Sequence, residues 1–216
     1  YGFIAVYPAG TRFPMRWRIV GKAGSSLDPM RDVTFISDLI DKLEAEYNID
    51  PSRIYANGLS NGGGMSFLLS CKMSDRIAAI GTVAGAFNLP WDDCQPSRPV
   101  PTMVFHGTED PIVPYAGGRY HDTDFFFPAI PDWAATLAGR NGCNPDPDEL
   151  PASGQVSGVQ YEGCNADVVF YTIAGGGHTW PGGEPIPERI AGYTSPDIDA
   201  TRVLWDFFLA HPLPGK

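Results

Sequence analysis

The chain has 216 residues, 43% of them hydrophobic, and a formal net charge of −10 at pH 7. That length suits one domain with a full core, and that apolar content excludes a disordered chain. The acidic balance argues against nucleic acid and anionic membranes as partners, and no apolar run approaches the roughly 18 residues of a membrane span.

Residues 3–7 (Phe-Ile-Ala-Val-Tyr) form an uninterrupted apolar run ended by Pro8 and Gly10. Such a run predicts a strand covered on both faces, as in a parallel sheet. Residues 11–28 carry Gly, Pro and Arg without a period and read as a surface loop, with Trp17 as a packed anchor. Val33, Ile36, Ile40, Leu43 and Tyr47 then step by three and four, one face of a helix of about four turns. Asp50-Pro51-Ser52 turns the chain into a short buried strand at residues 54–57. Strand, helix and strand make a βαβ unit, which implies a parallel sheet.

Gly58-Leu59-Ser60-Asn61-Gly62 follows, a G-x-S-x-G, and residues 65–71 read as the start of an apolar-faced helix. A strand that turns this sharply into a helix forces its middle residue into a strained conformation, and flanking glycines let strand and helix approach. The serine hydroxyl is pushed out of the sheet at a helix N-terminus, whose free N–H groups favour negative charge.

Residues 77–83 read as the next apolar strand, closed by Ala84-Gly85, and residues 88–101 as a proline-rich loop. Residues 102–106 are a further strand, with a turn at residues 107–111. Residues 131–137 predict a helix with Pro131 in its first turn and Trp133 and Leu137 inward. Residues 141–158, rich in Pro, Asp and Gly, read as a loop, and residues 168–173 as a β-branched and aromatic strand followed directly by Gly175-Gly176-Gly177-His178. The last helix is predicted with Ser195 as its cap, Pro196 at its first position, and Ile198, Leu204, Trp205 and Phe208 buried. No repeat or linker divides the chain, so residues 1–216 read as a single catalytic domain of α/β class.

Ser60, Asp110 and His178 each stand just past the C-terminal end of a predicted strand, the edge where open parallel sheets bind ligands. Their chain order, Ser then Asp then His, is that of the α/β-hydrolase triad. Neutral serine needs a base, His178, to take its proton, and Asp110 holds the other ring nitrogen. The backbone N–H of Asn61 is the expected oxyanion donor. Three glycines before His178 set it apart from His106, which reads as a turn-shaping residue, from His121, and from His211, expected to be exposed. Glu109, Asp92 and Asp93 are the competing acids. Gly62-Gly63-Gly64 lacks the Gly-Lys-Ser/Thr of a phosphate loop. No cofactor motif or metal cluster is read, so no cofactor and no metal are expected.

The four cysteines, Cys71, Cys94, Cys143 and Cys164, include no C-x-x-C. Even number and wide spacing fit two disulfides in an exported protein. Of the three pairings, the sequence-local pair Cys71–Cys94 and Cys143–Cys164 is favoured.

Five stretches carry a resemblance: Tyr-Gly-Phe-Ile-Ala-Val-Tyr-Pro at 1–8, Gly-Leu-Ser-Asn-Gly-Gly at 58–63, His-Gly-Thr-Glu-Asp-Pro-Ile-Val-Pro-Tyr at 106–115, Asn-Gly-Cys at 141–143, and Gly-Gly-Gly-His-Thr-Trp-Pro-Gly-Gly at 175–183. With them the chain resembles the α/β-hydrolase esterases of the polyhydroxybutyrate-depolymerase-like and feruloyl-esterase-like type, which include carbohydrate esterases. The resemblance implies Ser60, Asp110 and His178 as the triad, disulfides, secretion, and Trp180 beside the catalytic histidine in contact with substrate. It implies a small-molecule or polysaccharide-linked carboxylic ester as substrate, with a polyhydroxyalkanoate depolymerase and a catalytically inactive binding module as rivals. Family members carry further N-terminal strands and a His-Gly-rich loop with the second oxyanion donor. Against that pattern residues 1–216 read as N-terminally incomplete. A longer chain, a second chain that donates the strand, or direct pairing of residues 3–7 with the elbow strand would each fill the gap.

Overall fold

The computed structural model describes residues 2–11, 13–119 and 126–215. In chain order its strands are β1 (Ala56–Leu59), β2 (Ile80–Val83), β3 (Thr102–Gly107), β4 (Gly118–Arg119), β5 (Phe126–Phe127), β6 (Asp148–Ser153), β7 (Val156–Tyr161) and β8 (Val168–Ile173). The helices are α1 (Met30–Glu46), α2 (Asn61–Lys72), α3 (Ile130–Arg140), α4 (Glu188–Ala191) and α5 (Ala200–Ala210), with a short 3₁₀ turn at Trp91–Asp93. Six strands form one sheet in the order β1-β2-β3-β8-β7-β6, and β4 pairs with β5 separately. From β1 through β8 the pairing is parallel, with Leu59 opposite Val83, Val83 opposite Phe105 and Phe105 opposite Tyr171. This register brings the C-terminal ends of four strands to one edge.

The sheet is covered on both faces, and β2 and β3 are buried along their whole length. Successive side chains of a strand point to opposite faces. Val104 therefore joins a core with Ile36, Ile40, Leu68 and Trp133, from α1, α2 and α3. Its neighbours Met103 and Phe105 join the other core, with Leu204 and Phe208 of α5. In α1, Val33, Ile36 and Ile40 are buried as the period requires, whereas Tyr47 lies beyond the helix and is exposed. In α3, Trp133 and Leu137 face inward and the proline sits at the start. All four cysteines are paired: Cys71–Cys94 ties the end of α2 to the 3₁₀ turn, and Cys143–Cys164 closes the base of the β6–β7 hairpin.

Four expectations are corrected. Residues 3–7 are not a strand; Phe3, Ile4, Val6 and Tyr7 are exposed, Tyr7 at 93%. An apolar run becomes a buried strand only where a ladder and a cover receive it. Among the described residues β1 pairs with β2 alone, and the first βαβ unit is β1-α2-β2. Direct pairing of residues 3–7 with the elbow strand is thereby overturned. Second, the elbow strand runs two residues later than expected and is half-buried, being at the sheet edge; β2 likewise starts only at Ile80. Third, residues 141–158 are not all loop. They contain β6 and part of β7, an antiparallel hairpin turned at Gly154 (φ +54°). The strand β6 (Asp-Glu-Leu-Pro-Ala-Ser) is an exposed edge, so it shows no alternation and tolerates Pro151. Fourth, the last helix is capped by Asp199, whose carboxylate accepts from the Arg202 N–H. Ser195 lies upstream, buried, with its hydroxyl accepting from the Asp197 N–H.

Candidate active site

Between β1 and α2, Ser60 has φ 57° and ψ −120°. A non-glycine residue held there costs on the order of 1–3 kcal/mol, sustained only by its surroundings. Ser60 N–H donates to Val83 C=O at 2.9 Å, and Ser60 C=O accepts from the N–H groups of Gly64 and Ala86, both at 3.0 Å. The elbow is thus stitched to β2 and to the loop after it. In that loop Ala84 is the other described non-glycine residue with positive φ, at 46°. The need for glycine falls unevenly. A Cβ at Gly58 would sit 2.4 Å from the Gly62 carbonyl carbon, and one at Gly64 would sit 2.5 Å from Ala86 O. One at Gly62 would meet nothing within 4 Å. The close approach expected of both flanking glycines belongs to Gly58.

Asn61 opens α2 directly after the serine. Its side chain does something the sequence does not announce. Trp17 N–H donates to Asn61 Oδ1 at 2.6 Å, and Asn61 Nδ2 donates to Trp17 C=O at 3.2 Å. Next to it Arg18 is locked to the buried Asp32 of α1, by its backbone N–H and by Nη1, both at 2.6 Å. Residues 17–18 are therefore fixed beside the elbow, and Trp17 is the half-buried anchor expected of it, stacked on Phe35.

Across the same sheet edge, the turn after β3 carries Asp110 and the loop after β8 carries His178, both buried. His178 Nδ1 lies 2.8 Å from Asp110 Oδ2. The other carboxylate oxygen accepts from the N–H groups of Ile112 and Val113, each at 2.8 Å. Burial works to raise the Asp110 pKa. Hydrogen bonds from His106 and His178, the charge of His178 and the Val113 N–H outweigh it, and hold the carboxyl well below the usual carboxylate range. The glycines before His178 act as the sequence suggests: the chain at Gly177 presses on residues 191–192, and Gly177 N–H donates to Tyr193 C=O at 2.8 Å.

The structure thus brings Asp110 and His178 into contact and puts Ser60 on the same edge, half-buried, its hydroxyl making no hydrogen bond among the described residues. Catalytic hydrogen bonds are often long without substrate. Trp180 is two residues beyond His178; its Nε1–H donates to Thr201 Oγ1 of α5 at 3.0 Å, which anchors the loop. His106 does more than shape a turn, because its Nε2 is 3.4 Å from Asp110 Oδ2. His211 is half-buried rather than exposed, bound to Phe207 C=O and Asp167. His121 lies outside the described residues. Among the described residues no group of three or more His, Cys, Asp or Glu is placed to hold a metal ion.

The family described as Phospholipase/Carboxylesterase matches residues 21–123. The chain is 33% identical over 189 residues to feruloyl esterase B of Piromyces equi, covering 82% of this chain and 34% of that protein. It is 29% identical over 181 residues to feruloyl esterase C of Emericella nidulans, covering 83% and 58%. The chain therefore spans about a third to three-fifths of these relatives. Among solved structures, an acetyl xylan esterase from Aspergillus awamori superposes with a TM-score of 0.53 at 12% identity, covering 81% of this chain and 66% of that one. With this topology and these relatives, the chain has the α/β-hydrolase fold and resembles the feruloyl-esterase-like esterases over most of its length.

Proposed function

We propose that the protein is a serine esterase in which Ser60 is the nucleophile, His178 the general base and Asp110 the acid that orients it. The observation that carries this reading is the buried Asp110–His178 hydrogen bond on the edge where the strained Ser60 stands. His178 Nδ1 faces a carboxylate, which only accepts, so Nδ1 carries the proton and Nε2 is left as acceptor. Nε2 takes the Ser60 proton as Oγ attacks the ester carbonyl. The oxyanion is held by the Asn61 backbone N–H at the start of α2. Collapse expels the alcohol, which receives the proton from His178, and leaves an acyl-Ser60. Water, deprotonated by the same nitrogen, then releases the acid.

Hydroxycinnamoyl, acetyl and short-chain aryl esters are the proposed substrates, free or on polysaccharide, in keeping with the names of the relatives. Secretion is proposed from the two disulfides, which persist in oxidising compartments. The test is turnover of p-nitrophenyl acetate and methyl ferulate by wild type and Ser60→Ala, with fluorophosphonate labelling beside it. Loss of labelling and of activity by roughly three orders of magnitude or more is expected. Activity retained above a few per cent would overturn the assignment.

A further inference from the structure

His106 lies at the end of β3, is 1% exposed, and touches the acid without being part of the triad. Its Nε2 is 2.9 Å from Val113 C=O and 3.4 Å from Asp110 Oδ2. Both are acceptors, so Nε2 carries the proton. Nδ1 is buried and has no hydrogen-bond partner among the described residues. The ring's orientation is thus set from the Nε2 side and by packing against Tyr115, whose ring centre lies 6.2 Å away.

We propose that His106 is a positioning residue for Asp110, its Nε2–H shared between Val113 C=O and Asp110 Oδ2 so that the carboxylate is presented to His178. The proposal rests on the reading of Asp110 and His178 as acid and base. The geometry makes a closed set. Val113 gives its N–H to Asp110 Oδ1 and its C=O to His106, so one residue staples the turn from both sides. Oδ1 is filled by two backbone donors, and Oδ2 is placed between two imidazoles. The titratable groups facing His106 are Asp110 on its own turn, His178 from the loop after β8, and Tyr115, whose hydroxyl is engaged by Thr172 at 2.9 Å. An apolar side chain of the same volume would leave Val113 C=O unpaired. It would also leave Oδ2 to His178 alone, held in orientation by one donor fewer and a stronger acceptor for an imidazolium.

The test has two arms on the full chain. In ¹⁵N-histidine spectra, His106 is expected to show a protonated Nε2 and a bare Nδ1. The His178 Nδ1–H resonance is expected to shift in His106→Leu. The opposite His106 tautomer, or an unmoved His178 resonance, would overturn the proposal whether or not the protein hydrolyses esters. The second arm compares His106→Gln, whose amide nitrogen reaches the Nε2 position, with His106→Asn, whose amide falls at Nδ1, and with His106→Leu. Asn and Leu are expected to lower kcat about 10-fold with KM within about 2-fold, the loss of one hydrogen bond to a charged acceptor. They are also expected to move the acid limb of kcat/KM up by about half a pH unit, because a less solvated carboxylate favours the protonated base. Gln is expected to restore both. Gln and Asn falling equally would mark a merely structural role and overturn the proposal; should the Leu variant not fold, the Gln–Asn pair and the wild-type tautomer decide. Wild type inert on every ester while the tautomer stands would remove the esterase reading and leave the His106 geometry.

Discussion

The two sides of the candidate site are built differently. On the β3–β8 side, Asp110 and His178 are buried in the segments that follow two central strands, and each carboxylate oxygen of Asp110 is met by a donor from its own turn or from the adjacent loop. On the β1 side, Ser60 directly follows a half-buried edge strand. There the elbow is held by a backbone stitch to β2 and by a side-chain tether to residue 17, 44 positions away. Asp110 is thus fixed mainly by donors in its own turn, and the Ser60 elbow by partners far along the chain. Damage is expected to spread differently on the two sides: chiefly to the pH behaviour and rate on one, chiefly to fold stability on the other.

The comparison is broken most severely at Asp110. Asp110→Asn keeps the size but offers His178 the wrong tautomer, and ester turnover at neutral pH is expected to fall roughly 10⁴-fold; a loss of under 10-fold would show that Asp110 is not the acid. Next is Asp32→Ala, which takes the carboxylate from the half-buried Arg18 and leaves its guanidinium to Ser26 C=O and Thr11 Oγ1. Chemical denaturation should show a loss of about 2–3 kcal/mol, since the ion pair and the carboxylate's bond to the Arg18 N–H are both removed. Third, Gly58→Ala forces a Cβ into the Gly62 backbone and is expected to cost about 1–3 kcal/mol. Gly62→Ala, by contrast, has open space and is expected to be neutral or stabilising by about 0.5–1 kcal/mol in thermal melts. Equal losses at the two positions would refute the assignment of close approach to Gly58.

A gentler test uses pH. The folded-state pKa of Asp110 lies below its unfolded value. A depressed carboxyl contributes stability that is fully present above the unfolded value, near pH 4, and is lost as pH falls through the folded value. The stability gap between wild type and Asp110→Asn should therefore be flat from pH 7 to about pH 5 and narrow below about pH 4. A gap that widened on acidification would reverse the sign and refute the stated environment. On the elbow side Asn61→Ala is expected to cost only about 1 kcal/mol, with faster hydrogen exchange at the Trp17 amide and the backbone N–H of residue 61 retained.

Much of this was readable from the chain because it depends on near neighbours. The 3.6 period from Val33 to Ile40, the apolar runs of β2, β3 and β8, and the glycines before His178 all report local geometry. What was hidden is of two kinds. Residues 3–7 have every local mark of a strand, but a strand exists only with a partner, and partners are not written in the segment itself. β6 has no such mark because an exposed edge needs no alternation. At the site, Ser60, Asp110 and His178 are each signalled by turn chemistry. The Asn61 tether carries no signal, since a side-chain amide can reach a distant backbone from any polar-looking position. His106 was half visible: it stands four residues before Asp110, but only the fold of the turn aims its Nε2 at the carboxylate.

The tether between residues 61 and 17 uses only main-chain atoms at residue 17. Any amino acid with an N–H can therefore make those two hydrogen bonds, and proline alone is barred from them, whereas the stacking on Phe35 belongs to the tryptophan. The side chain presented beside the Ser60 elbow can thus change, in nature or by directed evolution, while the tether to Asn61 persists. A library at position 17 would vary the surface next to residue 61 while the two hydrogen bonds to the elbow stay constant.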